Sequence, residues 1–433
     1  MVCREKYIKI LKAGILSSVD SFLKKVFCIG ILSVFLGFAA MHISLECSFA
    51  QDAWTIQALD STGDVGEHSS IAVDSSGSVH IAYRDSDHYR VKYATNSSGT
   101  WVVETPPEAH ANSEGEYISI ALDTSKGVHI SHSGGGSGYP ACIPGYLFYT
   151  RKIEDSWLAS EPFSAGTDKY TSIAVDTSDN VHISYRSSSC VGDMSTFTCS
   201  CSDDVAYANN RSDSWQREYL NATGWPYKLA DTPMTLDSND NVHIGFWERV
   251  YSDGVWGYKL KHATNASGTW EYTVIDTQMD VGWWSSFGTS IAIDSHDGVH
   301  FSYYDADSFD LKYATNESGS WTVETVDSTG KVGAYSSVAI GSGDTLHISY
   351  YDETNGNLKY ATNKSGSWTT ETVDSIDDVG KYTSIGIDSQ DTVHISYYDV
   401  TNADLKYASG TGSATGTESD SGGITGLLML LLD

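Results

Sequence analysis

The chain has 433 residues, 56 acidic and 26 basic side chains, 39 glycines, seven prolines and 12% aromatic residues. That length can bury a large core, and 40% apolar against 19% charged residues excludes a disordered acidic polymer. A formal charge of −30 repels phosphate backbones and anionic bilayers, so nucleic acid is not an expected partner.

Residues 1–50 stand apart. Arg4, Lys6, Lys9, Lys12, Lys24 and Lys25 precede an apolar run from Val26 to Leu45, and Ser48-Phe49-Ala50 offers small residues for cleavage. That order predicts a secretory signal cut after Ala50, with an uncleaved anchor as the competing reading. Lipidation at Cys47 is disfavoured by Glu46 before it. Cleavage leaves 20 basic and 53 acidic groups and no further membrane span. Four cysteines remain, Cys142, Cys190, Cys199 and Cys201. In an exported chain an even number points to two disulfides, in any of three connectivities, and the absence of paired C-x-x-C knuckles argues against zinc.

From Trp54 onward one pattern repeats. A V-H-I-S-Y-Y-D-like run centres on His80, His129, His182, His243, His300, His347 and His394, at intervals of 49, 53, 61, 57, 47 and 47 residues. An S-I-A-V-D-like run precedes each, and an L-K-Y-A-T-like run follows, carrying Tyr93, Tyr149, Tyr207, His262, Tyr313, Tyr360 or Tyr407. A tryptophan then opens a fourth run at Trp101, Trp157, Trp215, Trp270, Trp321 and Trp368. The runs have strand length and turn-forming borders, and none has a helical period. Four strands per unit at a period near 50 predict an all-β fold, a seven-bladed β-propeller of four-stranded blades. The seventh unit lacks its tryptophan strand, whereas Trp54–Leu59 supplies one ahead of the first. Pairing the two closes the ring and removes a free edge. The expected organisation is therefore a signal peptide over 1–50, the propeller over 51–409, and a Gly/Ser/Thr-rich tail with a short apolar end over 410–433.

This order of strands resembles the bacterial and fungal propeller group that includes sialidase-type repeats and fucose-binding lectins, over about residues 54–408. The resemblance implies the fold and leaves the activity open. The repeated turn is D-S-x-G-x-V-H, as in Asp74–His80, and not the sialidase Asp box. No arginine triad is recognisable among the seven arginines that follow residue 50.

The repeated histidines lie on second strands, about 4.8 Å outward of the channel-lining strand, and cannot converge on a metal at the axis. Structural hydrogen bonds to Asp74, Asp123, Asp176, Asp237, Asp294 and Asp388 are expected, with Asp344 substituting for the aspartate missing at Gly341. The tryptophans and third-strand tyrosines are expected to pack between blades. Sequons at Asn96, Asn221, Asn265, Asn316 and Asn363 follow from turn chemistry. No cofactor is expected; the acidic loops 60–66 and 374–380 have carboxylates for Ca2+ but lack the alternating ligand ladder.

Regularity fails at one kind of connector. Between second and third strands, insertions occupy 133–145, 187–203 and 248–257, and the loop entering the fifth unit carries Met279, Trp283, Trp284 and Phe287. These connectors share one face of a propeller, so the expected ligand site is that rim. Just before the connectors stand Arg84, Arg186, Trp247, Tyr304, Tyr351 and Tyr398, followed in five blades by a carboxylate, Asp85, Glu248, Asp305, Asp352 and Asp399. An aromatic face beside a carboxylate suits a sugar ring. The alternative is that each carboxylate pairs with a nearby lysine, such as Asp305 with Lys312. The sequence thus predicts an exported, acidic propeller that binds an extracellular ligand, a glycan, on one rim. Two other readings stay open: a glycan hydrolase or lyase using rim carboxylates such as Glu248, Asp253 or Asp193, and a protein-interaction scaffold.

Overall fold

The computed structural model describes residues 54–107, 115–134, 145–158, 163–193, 198–212, 214–220, 231–252, 254–279 and 288–412, with backbone alone at 163–169, 188–193, 198–203 and 252. Residues 1–53 and 413–433, Cys142, Trp283 and Trp284 lie outside these residues. The described chain forms 28 strands and a single 3-10 turn, Ser342–Asp344. The strands make seven antiparallel four-stranded blades, as the repeat predicts.

In the first blade the strands are β2 (Val65–Val73), β3 (Val79–Asp85), β4 (Arg90–Thr95) and β5 (Val102–Glu104), paired in that order outward. The seventh blade takes β26 (Val379–Ile387), β27 (Val393–Asp399) and β28 (Asp404–Gly410) from one end of the repeat and β1 (Trp54–Asp60) from the other. Trp54 lies opposite Gly410 and Gln57 opposite Tyr407, so the ring closes in the expected register. The second and third blades are joined into one sheet, because β10 (Phe163–Val175) pairs through Phe163 and Thr167 with β8 (Gly145–Ile153) before joining β11 (Val181–Asp193). The long hairpin of the third blade sets Cys190 opposite Cys201.

Repeated side chains weld each blade to the one before it. Every fourth-strand tryptophan packs edge-on against an aromatic ring of the preceding blade, from Trp54 on Tyr360 to Trp368 on Tyr313, at centroid distances of 5.1–5.5 Å. Its indole N–H often donates to the W-x-x-E glutamate of that blade, as Trp157 does to Glu104 at 2.6 Å and Trp368 to Glu324 at 2.7 Å. The aspartates that end outer strands form a second weld. Asp60, from the N-terminal strand, accepts from Tyr83 at 2.8 Å and from Lys92 in the first blade. Asp374 receives Tyr397 and Lys406 in the same way.

The repeated histidines have the expected structural role. His300 Nε2 lies 2.9 Å from Asp294, and its Nδ1 lies 2.5 Å from the Tyr313 hydroxyl. The same links hold His129, His182 and His394, and His262 replaces the tyrosine beside His243. Two expectations are corrected. His80 keeps its tyrosine partner, Tyr93, but its Nε2 stands 3.9 Å from Asp74, beyond hydrogen-bond reach, and Lys126 takes that carboxylate at 2.9 Å. Asp344 does not serve His347, because the turn that carries it points the carboxylate at Ser295, which donates from N–H and hydroxyl at 2.9 and 2.8 Å. His347 keeps its Tyr360 partner, and burial pushes its pKa down to about 4.

Candidate functional site

The inner strands expose one edge to the channel, where their backbone N–H groups have no strand to pair with. A serine in the S-I-A-V-D run resolves this. Ser384 Oγ accepts from Ile71 N–H, Ser70 from Ile120, Ser119 from Ile173, Ser172 from Met234, Ser290 from Val338 and Ser337 from Ile385, all at 3.1–3.2 Å. Each serine caps the next blade. In the fourth blade the equivalent residue is Pro233, and the series is interrupted toward the fifth.

Two residues before each of these positions the inner strand bulges. In five blades the register slips there against the second strand, and in all seven the chain takes a left-handed conformation, at His68, Tyr117, Tyr170, Asp231, Gly288, Tyr335 and Tyr382, with φ between 34 and 61°. These are equivalent residues, one per blade, and they line one cavity of about 230 Å³ on the axis. It sits where the fourth-to-first connectors lead into the inner strands, the side on which the sequence places the variable loops. Hydroxyls one residue further on lock the bulges. Ser69 donates to the carbonyl of Tyr382, Thr171 to Tyr117, Thr232 to Tyr170 and Ser336 to Gly288, at 2.8–3.0 Å.

Five of the seven side chains form a continuous aromatic arc. Going round the axis, Tyr335 lies 4.7 Å from Tyr382, Tyr382 4.4 Å from His68, His68 4.7 Å from Tyr117, and Tyr117 4.4 Å from Tyr170, with planes tilted by 47–54°. Hydrogen bonds run along the arc, between Tyr117 and Tyr170 and between Tyr382 and Tyr335. The arc is broken in blades four and five. There the ring holds Asp231 and Gly288, and no larger residue fits at Gly288, whose Cβ would stand 2.5 Å from the Tyr335 nitrogen. Asp231 is the one carboxylate among the described lining residues, and it accepts from Thr289 N–H at 3.0 Å. Its side chain is half-buried, and desolvation pushes its pKa up to about 6.

The residues expected on the rim stand one strand further out. Tyr351 and Tyr398 are buried, pack edge-on against Tyr335 and Tyr382 at 6.3 Å, and donate to Asp378 and Asp64 at 2.7 and 2.8 Å. Trp247 is fully buried and donates to Thr289 Oγ1 at 2.8 Å, beside the gap in the arc. Tyr304 is buried too, with its carbonyl accepting from Gln278. Arg84 is held between Glu67 at 3.3 Å and Glu116 at 3.5 Å, and Arg186 lies opposite Lys169 in the strand register. The adjoining carboxylates have local partners: Lys261 for Glu248, Lys312 for Asp305, Asn355 for Asp352 and Asn402 for Asp399. Met279 is exposed.

Sequence reasoning missed the ring itself. Its signal was present as the residue before the hydroxyl in H-S-S-I, Y-I-S-I, Y-T-S-I and Y-S-S-V, which reads as ordinary strand until the bulge turns it inward.

These features define an all-β, seven-bladed propeller with an axial cavity lined by aromatic and hydroxyl groups. No protein-family model matches the chain, and no curated protein matches it. Solved propellers do. An ulvan lyase, a polysaccharide lyase solved bound to -[GlcA(1-4)Rha3S]-, is similar at a TM-score of 0.51 and 12% identity, over 82% of this chain and 94% of that one. A Dyadobacter fermentans protein of unknown function has a TM-score of 0.48 at 11% identity, over 68% of this chain and 94% of that one. A Hadza microbial sialidase has 0.47 at 11%, over 76% and 75%. At these identities the likeness is one of fold.

Proposed function

We propose that this propeller is an exported glycan-binding protein whose ligand sits in the axial cavity. The observation that carries the reading is the retention of strained aromatic residues. A left-handed backbone is unfavourable for bulky side chains, of order 1–3 kcal/mol each. Glycine adopts a left-handed backbone freely, as Gly288 does in the fifth blade, yet tyrosine or histidine stands at this position in five blades. Such strain concentrates where a side chain must be presented to a ligand. Aromatic faces with hydroxyls and a carboxylate are the groups that hold sugars, by stacking and by hydrogen bonds. A volume of about 230 Å³ lies below the ~300–1,000 Å³ of drug-sized sites and suits one ring or a chain end. The glycan-active propellers of the same fold support the reading without deciding it.

Binding is preferred over hydrolysis because the usual glycosidase mechanism requires two carboxylates about 5–10 Å apart, whereas Asp231 is alone among the described lining residues. The test is a glycan array with the secreted protein and with Tyr117→Ala and Tyr382→Ala. Glycan signals that weaken at least tenfold in both variants are expected; an array silent for the wild type removes the reading.

A further inference from the structure

The break in the aromatic arc gives the cavity a direction. Along blades six, seven, one, two and three its wall is made of ring faces, and across blades four and five it is polar. The two hydrogen-bonded tyrosine pairs point the same way. Tyr117 is hydrogen-bonded to Tyr170 and Tyr382 to Tyr335, so a pair of tyrosine hydroxyls stands at each flank of the gap. Between them Gly288 contributes no side chain, and Asp231 presents an acceptor. Arg84 and Arg186, whose charges reach Tyr382 and Tyr170, are not lining residues, and Arg84 already faces two glutamates.

A sugar ring placed here lays its C–H face on the arc and turns its hydroxyl edge to the slot. We infer that the axial cavity selects the uncharged end of a glycan, with Asp231 as the specificity-determining residue that accepts sugar hydroxyls and repels carboxylated ends such as uronates and sialates. The inference rests on the glycan reading above and adds the ligand class to it. At pH 7.5 Asp231 is mostly ionised, since its pKa lies near 6. A hydroxyl donating to it makes a charge-assisted bond, whereas a ligand carboxylate would meet a like charge at hydrogen-bond range.

The experiment is an array at pH 7.5 that displays matched oligosaccharides ending in neutral hexoses or deoxyhexoses, in uronates and in sialates. Titration calorimetry on the best neutral ligand and its uronate-ended counterpart follows, with wild type and Asp231→Asn. For the wild type, binding confined to neutral ends is expected. In Asp231→Asn, which keeps an acceptor for Thr289 N–H, neutral binding should weaken about tenfold and the discrimination against uronate should shrink. Equal or tighter wild-type binding of uronate or sialate ends would overturn the inference and leave the glycan reading intact. So would an Asp231→Asn protein of unchanged melting temperature with unchanged affinities for both ligands. Silence of the wild type toward every glycan would overturn both. The wild-type contrast decides the matter even where the variant does not fold.

Discussion

At the scale of single residues, the buried histidines give the molecule a particular acid sensitivity. Burial lowers the pKa of His80, His129, His182, His243 and His394, and takes His347 to about 4 and His262 to about 3. An unfolded histidine titrates near 6.5, so between that value and the folded value the unfolded chain binds more protons. The stabilisation is therefore complete above about pH 6.5 and is lost as pH falls toward the folded values. Each unit of lowering is about 1.4 kcal/mol. Urea midpoints should be flat from pH 8 to 7 and fall steeply between pH 6.5 and 4. The carboxylates lowered by hydrogen bonds, such as Asp388, add their own loss only below about pH 4. In His347→Gln, the slope of midpoint against pH in that window should be shallower than in the wild type. A midpoint that does not move between pH 7 and 5 would show that these rings are not buried neutral.

At the scale of the strand, the six serines of the inner edge make a clean prediction. Ser119→Ala removes the acceptor from Ile173 N–H and leaves a half-buried donor unmet, a loss of about 1–3 kcal/mol measurable by urea unfolding. Ser337→Ala should match it through Ile385. Amide exchange at Ile173 and Ile385 should speed up in the respective variants, while Ile291, which follows the Pro233 interruption, should exchange fastest of the inner-strand series in the wild type. The repeat was fully legible in the sequence because the V-x-I-x-Y and L-x-Y runs have the period of two that strands require, and the histidine spacing counted the blades. The Asp305–Lys312 pairing was legible for the same reason, since both residues repeat. The ring at His68, Tyr117 and Tyr382 was not. A bulge inverts the direction in which a strand residue points, and alternation alone cannot reveal one. Position also misled: Tyr351 and Tyr398 have the composition of a sugar platform, but they stand behind the tyrosines that reach the channel.

At the scale of the whole ring, closure depends on one seven-residue strand from the opposite end of the repeat. Trp54–Asp60 completes the outer edge of the seventh blade, and its ends are tied to both neighbours: Trp54 donates to Glu371 of the sixth blade, and Asp60 receives Tyr83 and Lys92 of the first. Asp60→Asn leaves Lys92 without its carboxylate in a buried setting, and by the magnitude for breaking a buried pair it should lower stability by about 3–5 kcal/mol. The tie is spatial rather than sequential, and that distinction can be tested by moving the strand. A circular permutant that begins at residue 61 and carries residues 51–60 after residue 410, joined by a short Gly/Ser hairpin linker, restores the four-strand order of every other blade within one stretch of chain. It should fold to the same β-rich circular dichroism spectrum and unfold in a single transition, whereas a chain simply lacking residues 51–60 should expose the edge of β28 and either aggregate or melt well below the full protein. Because the axial cavity is built from inner strands in all seven blades, the permutant should bind any ligand of the intact protein with unchanged affinity. A permutant that folds but no longer binds would place the ligand elsewhere than on the axis.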